Sequence, residues 1–397
     1  MEPKTIVSLV QCRSYELSAV KAALLESITH IGGLSPYVSP GERVFLKINL
    51  LMKKKPEEAT TTHPAFVQAL AEIFIENGNT VLMGDSPGGP FEKKLLTPLY
   101  QITGMTDVAA KTGAKLNENV ASRLADNPQG LLLKKLTVTD MIYDADKVIS
   151  VSKLKTHGMM TFTGAVKNMF GIIPGIKKAE YHLHMPEYNA FADALVDICI
   201  AGNPVLSFMD GIEAMEGEGP SAGTVRKCNA VLVSASPYHL DKVACSLIGL
   251  DFERVPIIKS CVRRGICSAD LSDVLLKGES IESLAVPNFE IPETRFVNPM
   301  AGMPRPIRAI LNNMAQPRPV FDYGACIGCN ICAESCPAKV IEMKNKKPHV
   351  NLKDCIRCYC CQELCPKKAI KAYHPKLLRR MVPIYMMFRE FKKRIKK

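Results

Sequence analysis

The chain is 397 residues long, 47% hydrophobic and 23% charged, with a formal net charge of +12 and a mean hydropathy near zero. Such figures describe two or three folded domains with sizeable cores and exclude a disordered or low-complexity protein. No run of eighteen apolar residues occurs, which argues against a membrane-spanning helix, and the opening "MEPKTIVSLVQCR" has neither the basic nor the apolar region of a signal peptide, so a cytoplasmic location is expected.

In chain order, "KTIVSLVQC", "RVFLKIN", "TVLMGD", "KVISVSKLK", "PVLSFMD" and "NAVLVSAS" read as strands. Amphipathic stretches of helical length alternate with them, for example residues 63–77 and 238–249. This alternation predicts an α/β fold over residues 1–300, a mostly parallel sheet with flanking helices. Ligands of such sheets sit beyond the carboxyl ends of the strands. Four stretches are expected there as loops: "KINLLMKKKP", "GDSPGG", "KLKTHG" and "DGIEAMEGEGPSAG".

The most unusual stretch is 153–171, "KLKTHGMMTFTGAVKNMFG", where three lysines and a histidine stand among threonines, glycines and apolar residues. Lys153, Lys155 and His157 are expected to leave a strand end, and residues 161–170 to begin a helix capped near Thr161 or Thr163. A helix N-terminus beside cations suits an anion. The expected binding residues are Lys47, Asn49, Lys153, Thr163 and Asn168, with His157, Lys155 and Lys167 as the catalytic candidates. Two flanking lysines favour the neutral form of His157, as a general base requires. Strand-end lysines are ordinarily solvated, so it is their clustering that makes these candidates. The pair His182 and His184 reads either as chance spacing or as metal ligands. Glu213, Glu216, Glu218 and Asp241 read either as an exposed acidic loop or as ligands of a divalent cation.

"KINL", "TTHPAFVQAL", "GDSPGG", the 153–171 stretch, "YHLH", "DGIEAMEGEGP" and "HLDKVACSLIG" together resemble the domain-of-unknown-function 362 family over most of residues 1–300. The resemblance implies fold and layout more than a reaction. Where relatives carry "D-P-V-A-x-D", this chain has "SPYHLDKVA", with Asp241 kept and Ser236 replacing the first acid. "GEGPSAG" does not meet the G-x-G-x-x-G spacing and does not open directly off a strand, and no Walker A or G-x-S-x-G motif occurs, so no NAD or FAD is expected.

Nine of the fifteen cysteines lie between Cys326 and Cys365. Disulfides do not persist in a reducing compartment, so this density points to metal. "CIGCNICAESCP" and "CIRCYCCQELCP" are two copies of C-x2-C-x2-C-x3-C-P, offset by 29 residues. They resemble the bacterial two-[4Fe-4S] ferredoxin family over residues 316–373, rather than the paired knuckles of a zinc site. The resemblance implies two [4Fe-4S] clusters, the fourth cysteine of each run serving the other cluster. One set is Cys326, Cys329, Cys332 and Cys365; the other is Cys355, Cys358, Cys361 and Cys336. Cys360 aligns with Ile331 and is not expected to be a ligand.

A proline-rich linker, 301–315, is expected between the two domains. The tail 374–397 is basic: from 376 onward it holds nine Lys or Arg and one Glu. Its apolar residues recur at steps of three and four, the pattern of a helix that lies peripherally on the inner face of a membrane or docks on the protein itself. No nucleic-acid module is present, and no nucleic-acid partner is expected. The expected function is an iron–sulfur oxidoreductase passing electrons between a donor or acceptor protein and an anionic small molecule in the α/β domain. An electron-transfer or scaffold protein, or a non-redox enzyme with structural clusters, are the alternatives.

Overall fold

A computed structural model describes residues 4–175, 177–185, 187–292 and 318–373. The chain divides into two compact units, 1–292 and 293–397. The linker expected at 301–315 and the basic tail lie outside the described residues.

In the first unit the strands are β1 (Thr5–Gln11), β2 (Arg43–Ile48), β3 (Thr80–Gly84), β4 (Lys115–Leu116), β5 (Ser122–Asp126), β6 (Lys135–Thr139), β7 (Lys147–His157), β8 (Thr161–Thr163), β9 (Leu206–Glu216), β10 (Thr224–Ser234) and β11 (Val274–Gly278). β5 and β6 form a separate hairpin, and the other nine build one sheet in the order β11-β1-β10-β9-β7-β2-β3-β4, with β8 paired to β7. The sheet is mostly parallel. Only β1–β10, β10–β9 and β7–β8 run antiparallel, and the other neighbours are parallel.

The strand pleat sends alternate residues to two cores. From β2, Val44, Leu46 and Ile48 join Ile149 and Val151 of β7 in a core with Phe66, Leu70 and Phe74 of the helix Pro64–Glu76. Phe45 points the other way, into a core with Phe191, Leu195 and Leu240, which belong to the helices Tyr188–Gly202 and Pro237–Leu247. The amphipathic stretches read from sequence form these helices almost as expected: Pro64–Glu76 begins at Pro64, and the side chain of His63 accepts from the Ala65 N–H at its cap.

Chain order reverses across the sheet between β2 and β7. From β2 the chain moves outward through β3 and β4, and from β7 it moves the opposite way to β9. The carboxyl ends of β2 and β7 therefore flank the switch point, where open α/β sheets hold ligands.

In the second unit β12 (Arg318–Phe321) pairs with β15 (Ile370–Tyr373) and β13 (Ile341–Lys344) with β14 (Lys347–Val350). Each cysteine run contains a short helix before its fourth cysteine, Ile331–Glu334 or Cys360–Glu363. The residue before each helix, Asn330 or Tyr359, is left-handed at φ 66° or 65°, so the duplicated sequence folds as duplicated backbone. Among the described residues no helix is long and apolar enough to cross a membrane.

Candidate cofactor cavities and the carboxyl edge of the sheet

The second unit contains two cavities. One is lined by Cys326, Cys329, Cys332 and Cys365, with Phe321, Ile327 and Met343 among the apolar walls. The other is lined by Cys336, Cys355, Cys358 and Cys361, with Pro319, Val340 and Val350. Each cavity thus takes three cysteines from one run and the fourth from the other. Cys360 lines neither; it is buried, and its thiol hydrogen-bonds to Cys358.

Four thiols around an apolar-walled cavity, with no acid or histidine in the lining, are the soft donor set of an iron–sulfur cluster. Among the described residues no three His, Cys, Asp or Glu side chains are grouped to hold a single ion; the four cysteines of each set line a cavity. The residues fit a [4Fe-4S] group.

In the first unit the 153–171 stretch departs from expectation. It is no loop leading to a helix: β7 continues through His157, turns, and returns as β8, with Lys155 opposite Thr163 and His157 opposite Thr161. The helix begins only at Ala165, because Gly164 holds its cap position and the Asp241 carboxylate accepts from the Ala165 and Val166 N–H groups at 2.6 and 3.1 Å. A side chain on Gly164 would strike that carboxylate at 2.2 Å. Likewise "DGIEAME" lies within β9 and is not a loop.

Lys47, Lys153 and Lys155 are buried and do not splay into solvent. They leave the sheet in two groups. Lys47 shares the face of Phe45; its ammonium donates to the Ile48 carbonyl at 2.8 Å and to Asn168 Oδ1 at 2.9 Å, and pairs with Asp85 at 2.9 Å. Burial lowers its pKa, against the pull of Asp85. Gly171 seals this pair, since a Cβ there would lie 2.0 Å from Asp85 Oδ1 and 2.3 Å from Lys47 Cε. Lys153 and Lys155 follow Ile149 and Val151 to the opposite face. Lys153 donates to Tyr15 Oη at 2.6 Å and Asp210 Oδ2 at 2.8 Å; Lys155 donates to Asn49 Oδ1 and the Thr60 carbonyl, both at 2.6 Å. The expected site residues are therefore divided between the faces, Lys47 and Asn168 of the binding set on one, Asn49 and Lys153 of that set with the catalytic candidate Lys155 on the other.

His157 is buried, and its Nδ1 accepts from the Met159 and Met160 N–H groups at 3.0 and 3.2 Å. Only an imidazole protonated on Nε2 can do this. Half-buried Lys167 lies over the Phe170 ring at 5.6 Å. His182 is a core residue stacked on Phe191 at 4.4 Å between ring centroids, and burial pushes its pKa down to about 3. Neither it and His184 nor the acids at 213–218 with Asp241 form a grouped metal site among the described residues.

Several residues at this edge escaped the sequence reading. Asp210 is fully buried and accepts from Tyr15, Lys153 and the His63 N–H. The His63 ring stacks on Tyr15 at 3.5 Å, and burial pushes His63 down to about 4. Lys178 reaches from the helix Lys177–His184 to the Ser86 carbonyl at 2.5 Å and the Pro87 carbonyl at 3.3 Å. Its pKa falls to about 7, first through burial and then through Lys47 and Lys167, with Asp85 opposing. "GDSPGG" signalled Asp85 and Ser86; nothing local signalled Tyr15 or Lys178.

Comparison with known proteins gives the family. The domain of unknown function (DUF362) matches residues 44–246, and a 4Fe-4S dicluster domain matches residues 318–366. A thylakoid-associated protein of Synechocystis sp. is 33% identical over 309 residues, covering 76% of this chain and 92% of that protein. The lactate racemase apoprotein of Thermoanaerobacterium thermosaccharolyticum aligns in structure at 15% identity and a TM-score of 0.37, over 60% of this chain and 56% of its own. The chain belongs to the domain-of-unknown-function 362 family and carries a C-terminal 4Fe-4S domain.

Proposed function

We propose that this protein is an iron–sulfur oxidoreductase holding two [4Fe-4S] clusters, one on Cys326, Cys329, Cys332 and Cys365 and the other on Cys336, Cys355, Cys358 and Cys361. The observation that carries this reading is the exchange of the fourth cysteine between two thiol-lined cavities, which ties the two sites into one fold. When bound, such clusters supply one-electron chemistry. The chain's own part is to hold eight thiolates, wall each site with apolar side chains, and fix Pro337 and Pro366 directly after Cys336 and Cys365.

For the first unit we propose an anionic small molecule at the carboxyl edge of β2 and β7, near Lys47, Asn49, Lys153, Lys155, Thr163, Lys167 and Asn168, with electrons passing to or from it. Lys178, Lys47 and Lys167 around Asp85 give this edge its cationic character. A second reading, in which the unit binds a partner protein, is favoured by one observation: Lys47 and Lys153 are each engaged by a buried carboxylate. The tail 376–397 would contact an anionic membrane face.

The test is anaerobic reconstitution followed by iron and sulfide analysis. The reading requires about eight iron and eight sulfide per chain, as two cubane clusters demand, with Cys360→Ser unchanged and Cys336→Ser losing iron. Stoichiometric zinc in place of iron, or iron loss in Cys360→Ser alone, would overturn the ligand assignment.

A further inference from the structure

The two thiol-lined cavities are duplicates in sequence and backbone, yet they differ in access. In the first set Cys329 is exposed, and Cys326, Cys332 and Cys365 are partly so; in the second, Cys336, Cys358 and Cys361 are buried and only Cys355 is partly accessible. The difference is sharpest at repeat-related positions: Cys329 is exposed where Cys358 is 9% exposed, and Ile327 is 59% exposed where Ile356 is half-buried. Ile327 thus stands on the wall of the cysteine cavity with its outer side open to water.

The surroundings are cationic. Lys346 packs its backbone against Gly328, between Ile327 and Cys329: a Cβ on Gly328, whose φ is +69°, would meet the Lys346 carbonyl oxygen at 2.8 Å. Lys347 reaches the Tyr323 carbonyl at 2.5 Å and the Cys326 carbonyl at 3.4 Å, and exposed Lys367 lines the cavity itself. Of the acids in the same unit, Asp322 accepts from the Gly324 and Ala325 N–H groups, Glu334 accepts from Asn330, and Glu342 pairs with Lys344. Residues 318–373 carry ten Lys or Arg against five Asp or Glu.

We propose that the face around Ile327 and Cys329 is the docking surface for an acidic one-electron carrier protein, making the Cys326/Cys329/Cys332/Cys365 site the port of electron exchange and the Cys336/Cys355/Cys358/Cys361 site the inner one. This rests on the two-cluster reading above. Tunnelling falls steeply with distance, so the less covered of two equivalent centres exchanges with an outside protein. In the step itself the carrier loses one electron and the outer cluster gains it; no bond or proton changes. The apolar tip of Ile327 supplies the desolvated centre of the contact, and Lys346, Lys347 and Lys367 supply the charged rim that steers encounter.

The test uses the full chain, reconstituted anaerobically, and a reduced acidic two-iron ferredoxin as the probe, with cluster reduction followed by stopped-flow absorbance. The wild-type second-order rate should fall as ionic strength rises, and Lys346→Glu should lower it on the order of tenfold at low salt. Lys346→Gln should fall between the two, Ile327→Asn should slow reduction at every salt concentration, and Lys353→Glu, the same charge change beside Cys355, should stay near wild type. Dithionite should reduce all variants alike, and their iron contents should match. A wild-type rate indifferent to salt, a Lys346→Glu rate equal to wild type, or an equal loss in Lys353→Glu would overturn the port assignment while leaving the cluster reading intact. Absence of iron from the wild-type protein would overturn the cluster reading and this one with it.

Discussion

The two units meet the same problem, stabilising polar groups away from water, in opposite ways. In the first, Lys47, Lys153, Asp85, Asp210 and Asp241 are buried, and each finds a partner within the fold. They can do so because large apolar cores on both faces of the sheet keep the backbone rigid around them. In the second unit the buried core of the described residues is Cys336, Ile341, Cys361 and Ile370, and its buried thiols turn toward cavities. A domain this small rarely stabilises itself by apolar burial alone and ordinarily needs a metal or cross-link. One unit is organised by its own side chains, the other by what its side chains bind.

That contrast can be broken most directly by withholding iron. Amide exchange on iron-free protein should show β12 to β15 losing nearly all protection while β7 and β9 keep theirs, since cluster binding is folding energy for the small unit alone. Persistent protection in β12 to β15 without iron would show that the small unit folds on its apolar contacts.

A smaller effect probes the first unit. Asp85→Asn leaves the Lys47 ammonium buried without its carboxylate and should cost about 3–5 kcal/mol in chemical denaturation. The double variant Lys47→Met, Asp85→Leu should recover much of that loss if the pair serves structure, and it should abolish anion binding at this edge if the pair also serves a site. A single Asp85→Asn variant as stable as wild type would mean the pair does not organise the fold.

The smallest expected effect is on pH dependence. His182 is held to about 3 by burial, with Lys167 adding to the shift, whereas an unfolded histidine titrates near 6.5. As pH falls, the unfolded chain takes up the proton first. This contribution to stability is therefore full above about 6.5 and is lost progressively toward about 3, at no more than about 1.4 kcal/mol per pH unit. His63, pushed down to about 4, acts in the same direction. His182→Phe keeps a ring between Phe170 and Phe191 and should flatten the acid slope of the first unit's unfolding transition. An unchanged slope would show that His182 is already protonated in the folded protein.

By itself the sequence determined whatever depends on short, regular spacing. Strand and helix alternation specified the mostly parallel sheet because strands buried on both faces read as short apolar runs and the helices that cover them as amphipathic stretches. The helix at Pro64–Glu76 was legible as the amphipathic stretch 63–77. The cysteine runs were legible because their spacing repeats after 29 residues. Only the tertiary structure decided the carboxyl edge. Lys153 and Tyr15 lie far apart in the chain yet hydrogen-bond at 2.6 Å, and Lys178 acts on Ser86 from a helix with no motif of its own. The 153–171 stretch became a β7–β8 hairpin because Asp241, from a distant helix, caps the chain only at Ala165. The division of the lysines between two faces follows from strand pleat and from which helices cover each side, and the inequality of two duplicated cysteine sites follows from what covers Cys358 and not Cys329. Spacing along a chain carries local chemistry; burial is a property of neighbours brought from elsewhere, and it decided which charges serve the fold and which cysteines face the solvent.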